Sequence, residues 1–420
     1  MQGGGPLWSR RVLSRLDSAP ALAPFRIRSY RFQWPADMLT SWAFEMETLI
    51  LGWYVLVETG SVLWLTVFGS LQFVGTLIAP LIGVIADRIG RRALLAYTRS
   101  AYVVLAATLM ILAFAGVLNA WWVLVIAFFA GLFRPSDWSM RNALIGDTMP
   151  PGALAAAMGL NRMTWDTARI AGALAGAGLF AALGIGPAYI FVTVFYIVGL
   201  MLTLQVSAPV RRDTEQISAP SGAWHELKEG IVFVWQSPTV FALMILAFLV
   251  NLLAFPVTMG LLPHVAKEVY IIDEIGLGHL VAAFAAGSLV GSIVMTITGG
   301  PARVGKFMVL SIVAWYLGIL VFGVQDAKLP GIILLMIIGA AQNIGMIALA
   351  VILLRVTPEA FRGRVMGVRI LAVYGLPMGL LGYGFIIESF GFVPAMTIGS
   401  IVGLALTGLI VARWRWELWT

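Results

Sequence analysis

The sequence predicts an all-α integral membrane protein with twelve transmembrane helices. Hydrophobic residues make up 60% of its 420 residues and charged residues only 11%, a balance typical of a chain embedded in a lipid bilayer. Stretches such as 61–86 and 329–354 carry no charge, and each exceeds the roughly 20 residues that cross the hydrocarbon. The two-residue alternation of a membrane β-barrel is absent from the sequence.

The helical segments follow one another with short polar connections. They are predicted at residues 37–57, 62–86, 93–117, 121–146, 153–182, 187–207, 238–262, 277–300, 305–324, 330–354, 364–387 and 391–412. The uncharged run at 170–210 is split by GIGP at 184–187, so we interpret it as a helical hairpin. Pro256 and Pro377 are predicted to interrupt the seventh and eleventh segments.

Basic residues cluster in every second connection along the chain, and Arg99 is counted with the group that follows the second segment. The alternate connections hold only Lys267 and Lys328. The positive-inside rule therefore places both termini in the cytoplasm, as an even number of crossings requires. The net charge of +7 is a topology signal, and we expect no nucleic-acid partner.

Weak internal similarity indicates two six-helix repeats. Three pairs of similar strings lie about half a chain apart: 183–191 with 390–398, 155–160 with 362–368, and 86–92 with 302–307. The expected organisation is a cytoplasmic N-terminal segment at 1–36, a first bundle at 37–207, a cytoplasmic linker at 208–237, a second bundle at 238–412 and a cytoplasmic tail at 413–420.

The string GVIADRIGRR at 83–92 resembles the signature loop of major facilitator superfamily transporters, Gly-x-x-x-Asp-Arg-x-Gly-Arg-Arg. The matching residues are Gly83, Asp87, Arg88, Gly90, Arg91 and Arg92. The resemblance implies a transporter whose two halves rock about a midplane site. It also implies that Asp87 meets the positive N-terminal end of the eleventh helix and closes a cytoplasmic gate.

Three further strings are similar to one branch of that superfamily, which contains the enterobactin exporter. They lie at 51–61, 261–270 and 357–367. This resemblance implies a bacterial inner-membrane exporter driven by proton exchange. In the fifth segment, Ala173 stands where many antiporters carry proline, a departure from their pattern.

Small residues recur on single faces of three helices. The glycines concerned are Gly172, Gly176, Gly287, Gly291, Gly375 and Gly379. Such faces let helix backbones approach closely, so we expect them to pack helices and to let the halves move.

Charges inside the predicted helices are the candidates for proton coupling or substrate binding. They are Asp137, Arg134, Asp166, Arg169, Glu45 and Glu47. In the fourth and fifth segments the charges are three or four residues apart, so those of one helix share a face. Because these helices are antiparallel, their charges are expected to form a ladder of alternating sign. A static structural network is the alternative interpretation.

Asp137 is the preferred coupling residue, since it is placed near mid-membrane on a helix that lines the cavity in the superfamily. Arg134 is expected to be its ion partner or the contact for an anionic solute. Arg141 and Arg162 are expected to reach lipid headgroups. Glu45 and Glu47 are two residues apart, so at most one should face the cavity.

The sequence thus predicts a secondary active transporter that exports a small amphipathic solute, siderophore-like or drug-like, by proton antiport through alternating access. Inward proton symport would use the same parts. The alternatives are a lipid or lysolipid translocase on this fold and a non-transporting sensor or scaffold. We expect a monomer whose partners are the solute, protons and membrane lipid. No enzyme activity, cofactor or metal is expected, because no metal-ligand spacing, phosphate loop, nucleophile elbow or paired catalytic carboxylates are evident. The absence of cysteine also excludes thiol catalysis and cysteine-ligated zinc.

Overall fold

The computed structural model describes residues 20–78, 86, 89–207, 223–297 and 303–415. A helix lies over each of the predicted segments, and no strand occurs among these residues. The helices are α1 (Arg28–Thr59), α2 (Val62–Leu71, then a 3-10 turn Val74–Ile78), α3 (Arg91–Phe114), α4 (Ala120–Thr148), α5 (Pro151–Leu183), α6 (Ile185–Thr203), α7 (Pro238–Leu253, then Phe255–Met259), α8 (Glu274–Ile297), α9 (Val304–Gly323), α10 (Lys328–Val356), α11 (Glu359–Ala372 and Gly375–Phe390) and α12 (Phe392–Arg413). A linker helix, Ala223–Gln236, precedes α7.

Within the described ranges, eight spans are long and apolar enough to cross a membrane on their own. A ninth is possible if the linker helix from Lys228 and α7 are taken together, although they meet at 109°. The all-helical, multi-pass fold predicted from the sequence is confirmed. The prolines act as expected, since α7 is interrupted just before Pro256 and α11 just before Pro377.

Helix α1 begins nine residues earlier than the start predicted at 37, at Arg28. Its first turns are polar, which is why hydropathy alone excluded them. They remain helical because they pack into the bundle: Ser29, Tyr30 and Gln33 are all buried. This extension places Asp37 well inside a helix rather than at its end.

The first half, α1–α6, and the second half, α7–α12, meet mainly where α5 packs on α8 and α2 packs on α11. Small residues make these contacts close. A Cβ atom on Gly278 of α8 would lie 2.7 Å from Cβ of Ala177 in α5. A Cβ atom on Gly384 of α11 would likewise meet the side chain of Thr66 in α2. The two halves therefore touch through small side chains near one end of the bundle.

The six predicted packing glycines lie at close helix contacts, but within the halves rather than between them. They join α5 to α1, α8 to α10 and α11 to α7. A Cβ atom at any of the six would approach a neighbouring helix to under 3.0 Å. Gly172, for example, would bring Cβ within 2.9 Å of Cβ of Glu45. These glycines thus fix each half internally.

Candidate functional site

A cavity of about 770 Å³ lies between the two halves. Helices α1, α2, α4 and α5 line it from the first half, and α7, α8, α10 and α11 line it from the second. Its volume falls within the range of roughly 300–1,000 Å³ that accommodates drug-sized ligands. The central cavity is therefore the candidate site for a small molecule.

The cavity is closed at the end of the bundle where α1 meets α2, which we call the far end. There, Glu388 of α11 accepts hydrogen bonds from the hydroxyl of Ser61 and from the backbone N–H of Leu63, at 3.2 Å. Lys267 donates to the backbone carbonyl of Leu56 at 3.4 Å, again across the halves. These contacts, together with Gly278 against α5, close the cavity at this end.

The opposite end, which we call the linker end because α6 ends and the linker helix begins there, is open. Arg162 of α5 lines the cavity, yet 60% of its side chain is exposed. Met158 and Ile370 also line the cavity and are 41% and 44% exposed. The cavity can therefore be reached from the linker end.

The cavity wall combines aromatic rings with charges. The aromatic residues are Phe44, Phe68, Phe73, Trp138, Trp165 and Phe255. The charged residues are Glu45, Arg134, Arg141, Arg162, Asp166, Arg169 and Arg369. A wall of this composition can hold an amphipathic molecule by stacking on its apolar part and pairing with its charged part.

Glu45, Arg134 and Arg169 lie near the middle of α1, α4 and α5 respectively, and all three line the cavity. The guanidinium of Arg134 lies 3.4 Å from the ring centroid of Phe44, and only 7% of the residue is exposed. Arg169 lies over the ring of Phe284 at 5.0 Å. Glu45 interacts electrostatically with both arginines but forms no salt bridge within 4.0 Å among the described residues.

Asp166 is paired within its own helix, where Nε of Arg162 lies 3.4 Å from Oδ2 of Asp166. Both residues line the cavity. The expectation that Arg162 reaches lipid headgroups stays a prediction, since 60% of its side chain is exposed. Its partner is a buried carboxylate one turn along α5, and this pair holds it at the cavity wall.

Glu47 lies outside the central cavity, as the two-residue spacing from Glu45 predicted. It accepts hydrogen bonds from the hydroxyls of Tyr196, at 2.8 Å, and Tyr189, at 3.4 Å, both in α6. It also lines a small pocket of about 30 Å³ behind Arg134. Glu47 therefore faces the packed side of α1.

Asp137 does not line the cavity but belongs to a buried ionic cluster with Asp37, Arg99 and Arg141. Nη2 of Arg141 lies 2.5 Å from Oδ2 of Asp137, and Nε of Arg99 lies 3.5 Å from Oδ1 of Asp137. Arg99 also pairs with Asp37, and Nε of Arg141 lies 3.7 Å from the same carboxylate. Each of these side chains is at most 4% exposed. Two arginines and two aspartates thus neutralise one another.

Several geometric expectations for this region were wrong. Arg134 is not the ion partner of Asp137, and Arg141 is buried in the cluster rather than at the headgroups. In the part of the chain that the structure describes, no ion pair joins α4 to α5, so the predicted ladder does not form. The reason is that α1 and α3 supply Asp37 and Arg99, which satisfy the charges of α4 from a different side.

Asp37 and Arg99 are the site residues that sequence reasoning missed. Arg99 was assigned to the basic topology signal, although it lies inside the predicted third segment. Asp37 was the first residue of the predicted first segment. Treating every charge within a predicted span as a possible buried partner is the rule that would have found both.

Within the signature loop, Gly83, Asp87 and Arg88 lie outside the described residues. Gly90 has a φ of +87°, a conformation that favours glycine and begins α3. Nη1 of Arg91 lies 2.6 Å from Oδ1 of Asp147 at the end of α4, and Arg92 donates to the backbone carbonyl of Leu204 after α6. The described part of the loop therefore ties α3 to its neighbours in the first half.

Comparison with known families gives one match that covers most of the chain. A family model described as Major Facilitator Superfamily matches residues 34–382. No curated protein sequence matches.

Solved structures of transporters share the fold at low sequence identity. The nucleoside transporter NupG has a TM-score of 0.73 at 14% identity, covering 91% of this chain and 98% of that one. The POT family transporter PepTSo has a TM-score of 0.75 at 13% identity, with 93% and 98% covered. A bacterial homologue of the human lysosomal transporter Spinster, in an inward-facing and unoccupied conformation, has a TM-score of 0.69 at 15% identity, with 94% and 99% covered. These similarities establish the fold and leave the solute open.

Proposed function

The chain belongs to the Major Facilitator Superfamily, and from that premise we propose that it exports a small amphipathic organic solute in exchange for protons. The observation that carries this proposal is the central cavity, closed at the far end and open at the linker end. A site between two rocking halves is the arrangement that alternating access requires. The resemblance of three strings to the enterobactin-exporter branch supports export and a siderophore-like or drug-like solute.

We further propose that the linker end faces the cytoplasm of a bacterial inner membrane. The basic connections support this orientation through the positive-inside rule. In that orientation the structure is an inward-open state. The similar Spinster homologue was also captured in an inward-facing, unoccupied conformation.

The proposed moving units are residues 37–207 and 238–412, joined by the linker at 208–237. In the described part of that linker, Glu229 forms a salt bridge with Arg364 of α11 at 2.9 Å. Phe233 stacks on Phe361 with ring centroids 4.6 Å apart. The linker helix should therefore move with the second half.

For proton coupling we propose Glu45 first, because it lines the cavity beside two arginines. Asp166 is the next candidate, since it also lines the cavity. Asp137 and Glu47 rank lower, because their partners are already in place away from the cavity. Protonation of Glu45 changes the charge of the cavity directly, which is what coupling requires.

One observation favours proton symport, in which the solute and the proton move in the same direction, over proton antiport. Glu45 interacts with Arg134 and Arg169, the groups that an anionic solute would use. A proton on Glu45 releases these arginines, so the proton and an anion would assist each other's binding. Antiport and symport therefore make opposite predictions in one assay.

The test uses inverted membrane vesicles with an acid interior and a quenched pH dye. Catecholates, organic anions and lipophilic cations are added outside in one series and preloaded inside in another. Antiport predicts release of the gradient by external solute, whereas symport predicts release by preloaded solute. Glu45→Gln should abolish either response. Glu359→Gln is the matched control, because the Glu359 side chain is 86% exposed.

If no solute changes the gradient in vesicles that contain folded protein, proton-coupled transport of these classes is refuted. If Glu45→Gln responds as the wild type does, coupling lies elsewhere, and Asp166→Asn is the next variant.

A further inference from the structure

Three arginines line the central cavity without a carboxylate partner within 4.0 Å among the described residues: Arg134, Arg169 and Arg369. They come from α4, α5 and α11, so both halves contribute. Two other lining arginines are already neutralised, Arg141 in the buried cluster and Arg162 by its neighbour on α5. The unpaired arginines are therefore a distinct group.

The net charge of the unpaired residues that line the cavity is positive. Among the lining residues, only Glu45 remains unpaired on the acidic side. Three arginines face Glu45 in the cavity, and Glu47 acts on Arg134 from the small pocket behind it, which leaves an excess of one positive charge. Uncompensated charge of one sign away from bulk water is unfavourable. An anion entering the cavity removes that cost.

The argument applies most strongly to Arg134, because it is the most deeply buried of the three arginines. Only 7% of the residue is accessible, and its Nε has no hydrogen-bond partner. Its guanidinium carbon lies over the ring of Phe44, 3.4 Å from the centroid, and 5.5 Å from the centroid of Phe73. This stacking holds the plane in place and leaves the N–H edge free. A fixed, unused N–H edge is suited to a planar or tetrahedral anionic group.

We propose that the cavity binds an organic acid, with its carboxylate or a similar anionic group between Arg134 and Arg169. Its apolar body lies against the aromatic wall, and Arg369, nearer the linker end, contributes to attraction along the way in. This inference rests on the proposed transport function and names its solute class. If Glu45 is the coupling residue, an anionic solute favours the proton-symport form of that function over antiport. A neutral or cationic molecule of the same shape leaves the arginines unpaired and binds more weakly.

Glu45 has a defined part in this site. Its charge partly neutralises Arg134 and Arg169 in the empty cavity, so it competes with the incoming anion. Because the Glu45 carboxylate and the anion compete for the same arginines, removing the charge of Glu45 should strengthen anion binding. A residue with a purely structural role would not have this effect.

The experiment is calorimetric titration of the detergent-purified full-length protein at low chloride. The probes are naphthalene-2-carboxylate, the matching carboxamide, the matching methylammonium compound and acetate. We expect the carboxylate to bind at least about tenfold more tightly than the carboxamide, which corresponds to one charge-assisted hydrogen bond of about 1.4 kcal/mol. Acetate should bind weakly, because it has no body for the aromatic wall.

The variants test the assignment residue by residue. Arg134→Gln and Arg169→Gln should each weaken carboxylate binding about tenfold or more and change carboxamide binding by less than about threefold. Glu45→Gln should tighten carboxylate binding about threefold or more. Arg362→Gln is the matched control, and its effect should stay below about threefold because Arg362 lies outside the cavity wall and its pair with Glu359 is exposed.

Equal binding of carboxylate and carboxamide to the wild type would overturn the proposal, as would absence of carboxylate binding to folded protein. Equal effects of the Arg134, Arg169 and Arg362 variants would also overturn it. If Arg134→Gln does not fold, the wild-type preference and Arg169→Gln decide the matter. Transport of a neutral or cationic solute without any carboxylate preference would refute only this inference. Carboxylate binding without transport of any solute would refute only the proposed function.

Discussion

Replacing Arg99 with methionine should destabilise the first half strongly. Arg99 is 1% exposed and pairs with Asp37, with Asp137 at 3.5 Å, and with the hydroxyl of Thr203. Its removal leaves two buried carboxylates facing Arg141 alone. Breaking a buried ion pair in this way costs about 3–5 kcal/mol. For a domain of about 150–250 residues, each kcal/mol lowers Tm by roughly 2–4 °C, so we expect Arg99→Met to lower Tm by about 6–20 °C.

The assay is thermal unfolding of the purified protein at one heating rate, followed by intrinsic fluorescence. The chain suits this readout because it has 15 tryptophans and no cysteine for a thiol-reactive dye. Arg362→Met is the matched control, because its pair with Glu359 is exposed and contributes at most about 1 kcal/mol. The double variant Arg99→Met with Asp37→Asn restores one arginine to one aspartate and should recover part of the loss.

Two outcomes would refute the reasoning. A fall in Tm no larger than that of Arg362→Met would show that the cluster does not stabilise the fold. A double variant no more stable than Arg99→Met alone would show that uncompensated charge is not the cause of the loss.

Two further predictions concern packing. Gly287→Val should lower Tm by an amount equivalent to about 1–3 kcal/mol, since a Cβ there meets the backbone of α10, whereas Gly408→Val should be tolerated because nothing lies within 4 Å. Phe233→Ala should destabilise the protein more than Arg364→Ala, because the stack of Phe233 on Phe361 removes apolar surface from water and the salt bridge of Arg364 is partly exposed. Both comparisons use the same melting assay, and a reversed order in either pair would contradict the packing assignment.

Hydropathy and proline placement were enough to predict the helices of this fold. Membrane helices must satisfy their backbone polar groups internally, so long apolar segments have few alternatives. The breaks before Pro256 and Pro377 follow from local sterics in the same manner. The start of α1 was missed, because its polar first turns are helical only through contacts with the rest of the bundle.

The charges were predicted less well, for a physical reason. Spacing along one helix shows which residues share a face, and it correctly separated Glu45 from Glu47. It does not show which neighbouring helix supplies a partner. Asp137 is neutralised by Arg99 from α3 as well as by its own helix, and nothing in the spacing of α4 reveals this. The pairing of charges across helices is a tertiary property.

The far-end contact of Glu388 gives the protein an internal reporter of its own state. The first turn of α2 in one half has a backbone N–H, at Leu63, whose acceptor belongs to α11 in the other half. When the halves separate at this end, that amide loses its acceptor and meets solvent. Its hydrogen–deuterium exchange rate therefore measures how often the far end opens, without an attached probe or a substituted residue.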